Sequence, residues 1–161
     1  MVSAQYAMFC IHIGKHPWCA WQALGEELVK DLVWDSTLSV QVEEIDEDHR
    51  RLVELFNILN HSVVEGDAEN YIEAVIEELI TCTVWHFRHE ERLMLKYDYE
   101  GFVEHKTEHQ ELIDSAKALQ QSFQQEGKPV SSEDIKFLEH WLTGHILDAD
   151  MKLGSHLCMV M

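Results

Sequence analysis

Phe102, His105, His109, Leu112, Ala116, Leu119 and Phe123 recur every three or four residues without a miss, the stripe that one face of an α-helix turns toward a core. A β-strand cannot use that period, because its side chains alternate between faces every second residue. The same stepping recurs in three more stretches. Ile45, His49, Leu52, Phe56, Leu59 and Val63 mark a helix that Gly66-Asp67 should end; Ile72, Ile76, Leu79, Thr83, His86, Glu90, Leu93 and Tyr97 mark another, from about Asn70 to Lys96, broken at Tyr99-Glu100-Gly101. After Glu126-Gly127-Lys128-Pro129, the run Ser131-Ser132-Glu133-Asp134 supplies an N-cap and early acids for a last helix carrying Ile135, Leu138, Leu142 and His145. Long helices joined by short connections make antiparallel neighbours. The expected class is therefore all-α, an antiparallel up-down-up-down four-helix bundle over residues 34–161, preceded by an irregular N-terminal extension, residues 1–33, rich in Trp, Cys and His.

Composition narrows what such a bundle can do. Twelve Lys+Arg against 30 Asp+Glu give a formal charge of -18, which repels nucleic acid and anionic membrane surfaces. No stretch reaches the run of about 18 apolar residues that a spanning helix needs, and the first fourteen residues lack the basic region and cleavage site of a secretory leader. Cys10, Cys19, Cys82 and Cys158 fall at no regular spacing; nothing demands disulfides, and Cys82 sits in an apolar pattern that suggests a buried thiol. The expectation is a cytoplasmic protein in a reducing compartment, with no nucleic-acid or membrane partner.

The chemistry lies on the stripes. His49, His86, Glu90, His105, His109 and His145 all occupy core-facing positions, where such groups are costly unless paired or ligating. His86 with Glu90, and His105 with His109, are spaced i,i+4, so both members of each pair project from one face about a turn apart. Any one histidine among the eleven in the chain could be a hydrogen-bonded core residue. Six such groups on four stripes, two pairs at chelating spacing, point to a metal centre inside the bundle.

The runs Ile45-Asp46-Glu47-Asp48-His49, His86-Phe87-Arg88-His89-Glu90-Glu91, His105-Lys106-Thr107-Glu108-His109 and Trp141-Leu142-Thr143-Gly144-His145-Ile146 through Asp150 resemble bacterial hemerythrins over residues 34 to about 157. The resemblance implies a non-haem di-iron centre, two iron ions with a hydroxo or oxo bridge. His105, His109 and His145 would bind one iron and His49 and His86 the other, with Glu90 and Asp150 bridging. It further implies that the two-histidine iron takes up dioxygen, in a pocket lined by Leu52, Phe87, Trp141, Leu142 and Ile146, residues whose alternative role is ordinary core packing. Spacing alone favours a different last ligand. Five residues from His145 carries Asp150 about 140° around an ideal helix, whereas Asp148, three residues on, would face the same way as His145. Keeping Asp150 requires a local widening of the helix or a fraying end.

The expected function is reversible dioxygen binding by an oxygen carrier or store that is not an enzyme. A di-iron oxygen or redox sensor and a peroxidase or iron-oxidising enzyme are the competing readings. A set of five imidazoles and two carboxylates favours reversible binding over oxygen activation, and no histidine has Glu three residues before it, the motif of ferritin-like oxidation sites. His89-Glu90 is followed by Leu93 rather than His, so the zinc-protease motif is absent. An oxygen-consuming protein partner remains an open expectation. His61, His89, His140 and His156 read as surface or rim residues; Glu47, Asp48, Arg50 and Arg51 as a solvated helix face; Asp46 as a helix cap. Trp34 and Val40 resemble the family's pre-helix loop and should cover the core. Cys10, His12, His16 and Cys19 fit no zinc spacing.

Overall fold

The structure, a computed structural model, describes residues 30–161. The cluster Cys10, His12, His16 and Cys19, and most of the expected extension, lie outside the described residues. Helix α1 spans Glu43–Glu65, α2 Glu69–Lys96, α3 Phe102–Glu126 and α4 Ser132–His145; α4 runs on through a π-helical turn, Ile146–Asp150, into α5, Met151–Val160. There is no strand among the described residues.

Cross-helix contacts set the directions. Arg51 pairs with Glu78 while His89 reaches Glu44, so residue numbers rise along α1 as they fall along α2. Lys106 meets Glu91 and Gln124 meets Glu73, which makes α2 and α3 antiparallel. Trp141 donates its indole N–H to the Leu112 carbonyl and His145 meets Glu108, which does the same for α3 and α4. With α4 also packed on α1, the four rods close an up-down-up-down four-helix bundle.

The connections stop each rod by local chemistry. Gly66, at φ 71°, caps α1 in the left-handed conformation that costs a non-glycine residue about 1–2 kcal/mol. The N–H of Asp67 returns to the Ser62 carbonyl at 2.9 Å, closing a Schellman motif. At the start of α4 the Ser131 hydroxyl accepts from the Asp134 N–H and the Asp134 carboxylate accepts from the Ser131 N–H, a capping box that satisfies two orphan donors.

Apolar stripes then fill the interior. Ile45, Leu52, Phe56, Leu59, Ile76, Ile135, Leu138, Leu153 and Leu157 are buried in one core. Cys82 is half-buried against that core rather than enclosed by it, because its position on α2 falls between the inward stripe and the solvent face. The segment before α1 is part of the same core: Leu38, Val40 and Val42 are buried while Gln41 between them is exposed at φ 63°. Asp46 fastens this loop. Its carboxylate accepts from the Val40 N–H at 2.8 Å and the Ser39 hydroxyl at 2.6 Å. The expected cap role thus takes a different form: the N-cap position itself is Val42, without a side-chain cap bond, and Asp46 reaches back from the first turn to hold the incoming chain.

The loop lies directly on α5. A Cβ at Gly154 would stand 2.4 Å from the Val40 carbonyl oxygen. Gly154→Ala should therefore cost about 1–3 kcal/mol through overpacking. At Gly144 the nearest atom to an added Cβ is 3.9 Å away, so Gly144→Ala should stabilise by about 0.5–1 kcal/mol by removing a helix-interior glycine. Thermal melts of the two variants should shift in opposite directions.

Candidate metal centre

Each of the four rods brings at least one inward polar residue to the same level: α1 His49, α2 His86 and Glu90, α3 His105 and His109, α4 His145 with Asp150 at the end of the π turn. All seven are buried, with exposures from 0 to 5 %. Their ligand atoms form two overlapping groups, each within 4.8 Å across: Glu90, His105, His109, His145 and Asp150 in one, His49, His86, Glu90 and Asp150 in the other. The two carboxylates belong to both.

The π turn is what admits Asp150. Its hydrogen bonds span five residues rather than four, so a side chain five positions after His145 returns to nearly the same face. The Nε2 of His145 stands 3.1 Å from an Asp150 oxygen. Asp148, the residue that α-helical spacing favours, instead lies on the outside and pairs with Lys152 at 2.7 Å.

The donor chemistry fits cations. Around the pair of carboxylates, Nε2 of His49, His105 and His109 lies 3.1–3.2 Å from an oxygen of Asp150 or Glu90, and Nε2 of His86 at 3.7 Å. The imidazoles face one another too, with Nε2–Nε2 separations of 3.1 Å for His49 and His86 and 3.3 Å for His105 and His145. All four carboxylate oxygens lack a hydrogen-bond donor, and a buried acceptor in that state costs about 1–3 kcal/mol, more when charged. Two buried carboxylates ringed by imidazole nitrogens at these separations are a donor set that positive ions satisfy.

Burial also keeps two of the imidazoles in the neutral, ligating form. It pushes His86 down to about 4, and burial with the neighbouring histidines pushes His109 down to about 2. His145 is the exception: burial opposes its charged form, but Asp150 and Glu108 outweigh burial and raise it. Burial, reinforced by Asp150, raises Glu90. Burial would raise Asp150 as well, yet His145, His105 and His49 around it hold its carboxyl low.

The five residues expected to line an oxygen pocket are all buried. Leu52, Leu142 and Ile146 sit in the core. Trp141 lines a void of about 10 Å³ with Leu59, Ile76, Leu79, Ile80, Thr83, Ala116, Leu119 and Leu138. The only hydroxyl there, on Thr83, donates to the Leu79 carbonyl at 2.8 Å. Phe87 stacks flat on His109, ring centroids 3.7 Å apart, and faces an outer groove between α2 and α3.

Two surface assignments change. Asp48 is not a free member of a solvated face: its side chain is 15 % exposed and sits 2.8 Å from Nδ1 of His89 and 3.5 Å from Nδ1 of His86. His89 points away from the centre, as expected, but is enclosed between Asp48 and Glu44 and packs on Trp85. His61 pairs with Asp31, His140 is exposed, and His156 donates to the Tyr97 carbonyl. Sequence reasoning passed over Glu91 and Glu108; the available signal was that each sits beside an inward residue, Glu90 and His109 respectively.

Comparison with known proteins agrees with this arrangement. Residues 40–157 match the family described as "Hemerythrin HHE cation binding domain". A bacteriohemerythrin from Pseudomonas paraeruginosa is 36% identical over 119 residues, covering 74% of this chain and 76% of that protein. A hemerythrin-like protein from Naegleria gruberi is 32% identical over 119 residues, covering 74% and 87%. A crystal structure of wild-type hemerythrin superposes with a TM-score of 0.73 at 28% identity, covering 78% of this chain and 97% of that one.

The depressed histidines fix how the metal-free protein responds to acid. His86 titrates near 6.5 when unfolded and about 4 when folded, so between those values the unfolded chain holds the extra proton and stability falls as pH falls. His109 acts in the same sense. His145, raised on folding, gives its contribution in full below 6.5 and does not offset the loss. Melting temperatures of chelator-treated protein should drop steeply from pH 6.5 to pH 4.5; a flat profile would contradict the burial of these imidazoles in the neutral form.

Proposed function

The chain belongs to the hemerythrin family, and on that premise we propose that it holds two iron ions between Glu90 and Asp150 and binds dioxygen there reversibly, as a carrier or store rather than an enzyme. The observation that carries this reading is the composition of the two donor groups. They share both carboxylates, but one adds three histidines and the other two, so the His49/His86 side has one protein donor fewer and room for a small ligand from outside. Iron bound there supplies the redox capacity that dioxygen binding needs.

The protein's own residues do the rest. His105, His109 and His145 present nitrogen donors to one position, His49 and His86 to the other, and Glu90 and Asp150 lie between. Burial of all seven keeps bulk water from the centre, and with it the protons that turn reversible binding into irreversible oxidation. The small void beside Thr83 and Trp141, about one turn from His86 and His145, is walled almost wholly by apolar side chains. The imidazole-rich donor set supports binding over oxidation chemistry and speaks against the peroxidase and iron-oxidase readings. No described helix is long and apolar enough to cross a membrane.

Iron content and an optical spectrum, taken after anaerobic reduction, after admission of air and again under vacuum, test the proposal. Two irons per chain and a visible band that appears with oxygen and fades under vacuum are expected. Irreversible oxidation at the first exposure would replace the carrier by an enzyme or a sensor. In the same assay His105→Ala should lose iron from the three-histidine side, whereas His61→Ala, whose partner is Asp31 at the surface, should retain both ions.

A further inference from the structure

Three acidic residues outside the donor groups stand at the backs of three of the five histidines. Asp48 of α1 faces Nδ1 of His86 on α2 at 3.5 Å; Glu91 of α2 faces Nδ1 of His109 on α3 at 3.5 Å; Glu108 of α3 faces Nδ1 of His145 on α4 at 2.9 Å. Each acid comes from the helix before the one it serves, so three successive seams of the bundle carry the same device. Each also adjoins, in sequence, a residue of the centre: Asp48 precedes His49, Glu91 follows Glu90, Glu108 precedes His109. Helical geometry explains the rule. Adjacent side chains are about 100° apart around the axis, so when one points inward its neighbour points sideways, across the seam to the next rod.

We propose that Asp48, Glu91 and Glu108 are positioning residues for the metal ions, a role that rests on the metal-binding reading above. A carboxylate can only accept, so it selects the imidazole tautomer with the proton on Nδ1 and leaves the Nε2 lone pair facing inward. Carboxylates in this outer position orient ligand histidines and raise their basicity. Asp48 is itself held from behind: His89 lies 2.8 Å from it and reaches Glu44 at 3.2 Å. The remaining two histidines have no such acid. Of the three acids only Glu108 closes a hydrogen bond to its histidine; Nδ1 of His86 and of His109, faced at 3.5 Å, is without a hydrogen-bond partner, as is Nδ1 of His49 and of His105, whose rings lie near Trp34 and Tyr99 at centroid distances of 6.2 and 6.4 Å. The device therefore divides the centre: one of two histidines is braced on one side, two of three on the other.

The test is stepwise titration of the full-length metal-free chain with cobalt(II), following the visible ligand-field band, with a competing chelator to extract two affinities. Asp48→Asn keeps an oxygen acceptor but drops its charge, and Asp48→Ala removes both. Cobalt affinity on one of the two steps should fall in the order wild type, Asn, Ala, by about 10- to 100-fold for Ala, with an altered band for that step. Glu108→Gln should weaken the other step instead. Glu47→Gln, an exposed acid beside the same stripe, should change neither. Melts of the metal-free variants separate positioning from folding, since a brace acting through the metal leaves them within a few degrees of wild type. If wild type takes two cobalt ions and Asp48→Ala and Glu108→Gln match it in affinity and spectrum, the brace is wrong. If wild type takes none, the metal-binding reading fails and the brace falls with it.

Discussion

Everything in this bundle is arranged around two buried carboxylates that lack hydrogen-bond donors. Glu90 and Asp150 are fully enclosed, and the groups nearest their oxygens are imidazole nitrogens, of which burial holds those of His86 and His109 neutral. An apolar core of the same size would fold with less difficulty, because each inward polar group gives up hydration that the interior does not return. The chain accepts that cost at one level of the bundle and recovers it elsewhere, through the capping box of α4, the Schellman turn after α1 and the unbroken apolar stripes on either side of the centre. The part of the fold that costs most to form is the part with chemistry to perform, as expected where binding is coupled to folding.

How much of this could be read without coordinates depended on which geometric rule applied. The 3.6-residue period found α1 to α4 with ends within a few residues, because long amphipathic helices bounded by glycine, proline and serine give every local signal in agreement. The inward set of five histidines and Glu90 followed from the same period. Asp150 did not. Its place depends on a π turn, for which Ile146 to Asp150 carry no compositional mark, and the period taken alone points to Asp148. The resemblance to a known family supplied the residue, and the turn supplies the reason.

A second class of residue escaped for a different cause. Stripe reasoning sorts positions into inward and outward, and Asp48, Glu91 and Glu108 are neither. They lie at the seam, where a side chain is partly exposed by area yet faces a single atom of the next helix. His89 belongs to the same class. A charge on a predicted helix is usually solvated, and most acids here are, as Glu43, Glu54 and Glu78 illustrate in their exposed pairs with Arg50 and Arg51. Adjacency to an inward residue of the centre marks all three seam acids, though Glu104, which precedes His105 and is exposed, meets the same condition.

The π turn means that the last rod contains one residue more than an α-helix of the same path would use. That surplus acts as a phase shifter. Upstream of it the rod is in register with His145, downstream with Leu153, Gly154 and Leu157, and the two halves keep their facings only because the π turn absorbs the extra residue. Ordinary helical bonding through the same residues, with none removed, would turn the whole of α5 by about 100°. Leu153 and Leu157 would leave the core, and the glycine that lets the Val40 loop approach would face elsewhere. The fastening of the N-terminal loop and the placement of the Asp150 carboxylate are therefore set by one turn, although the two sites share no side chain.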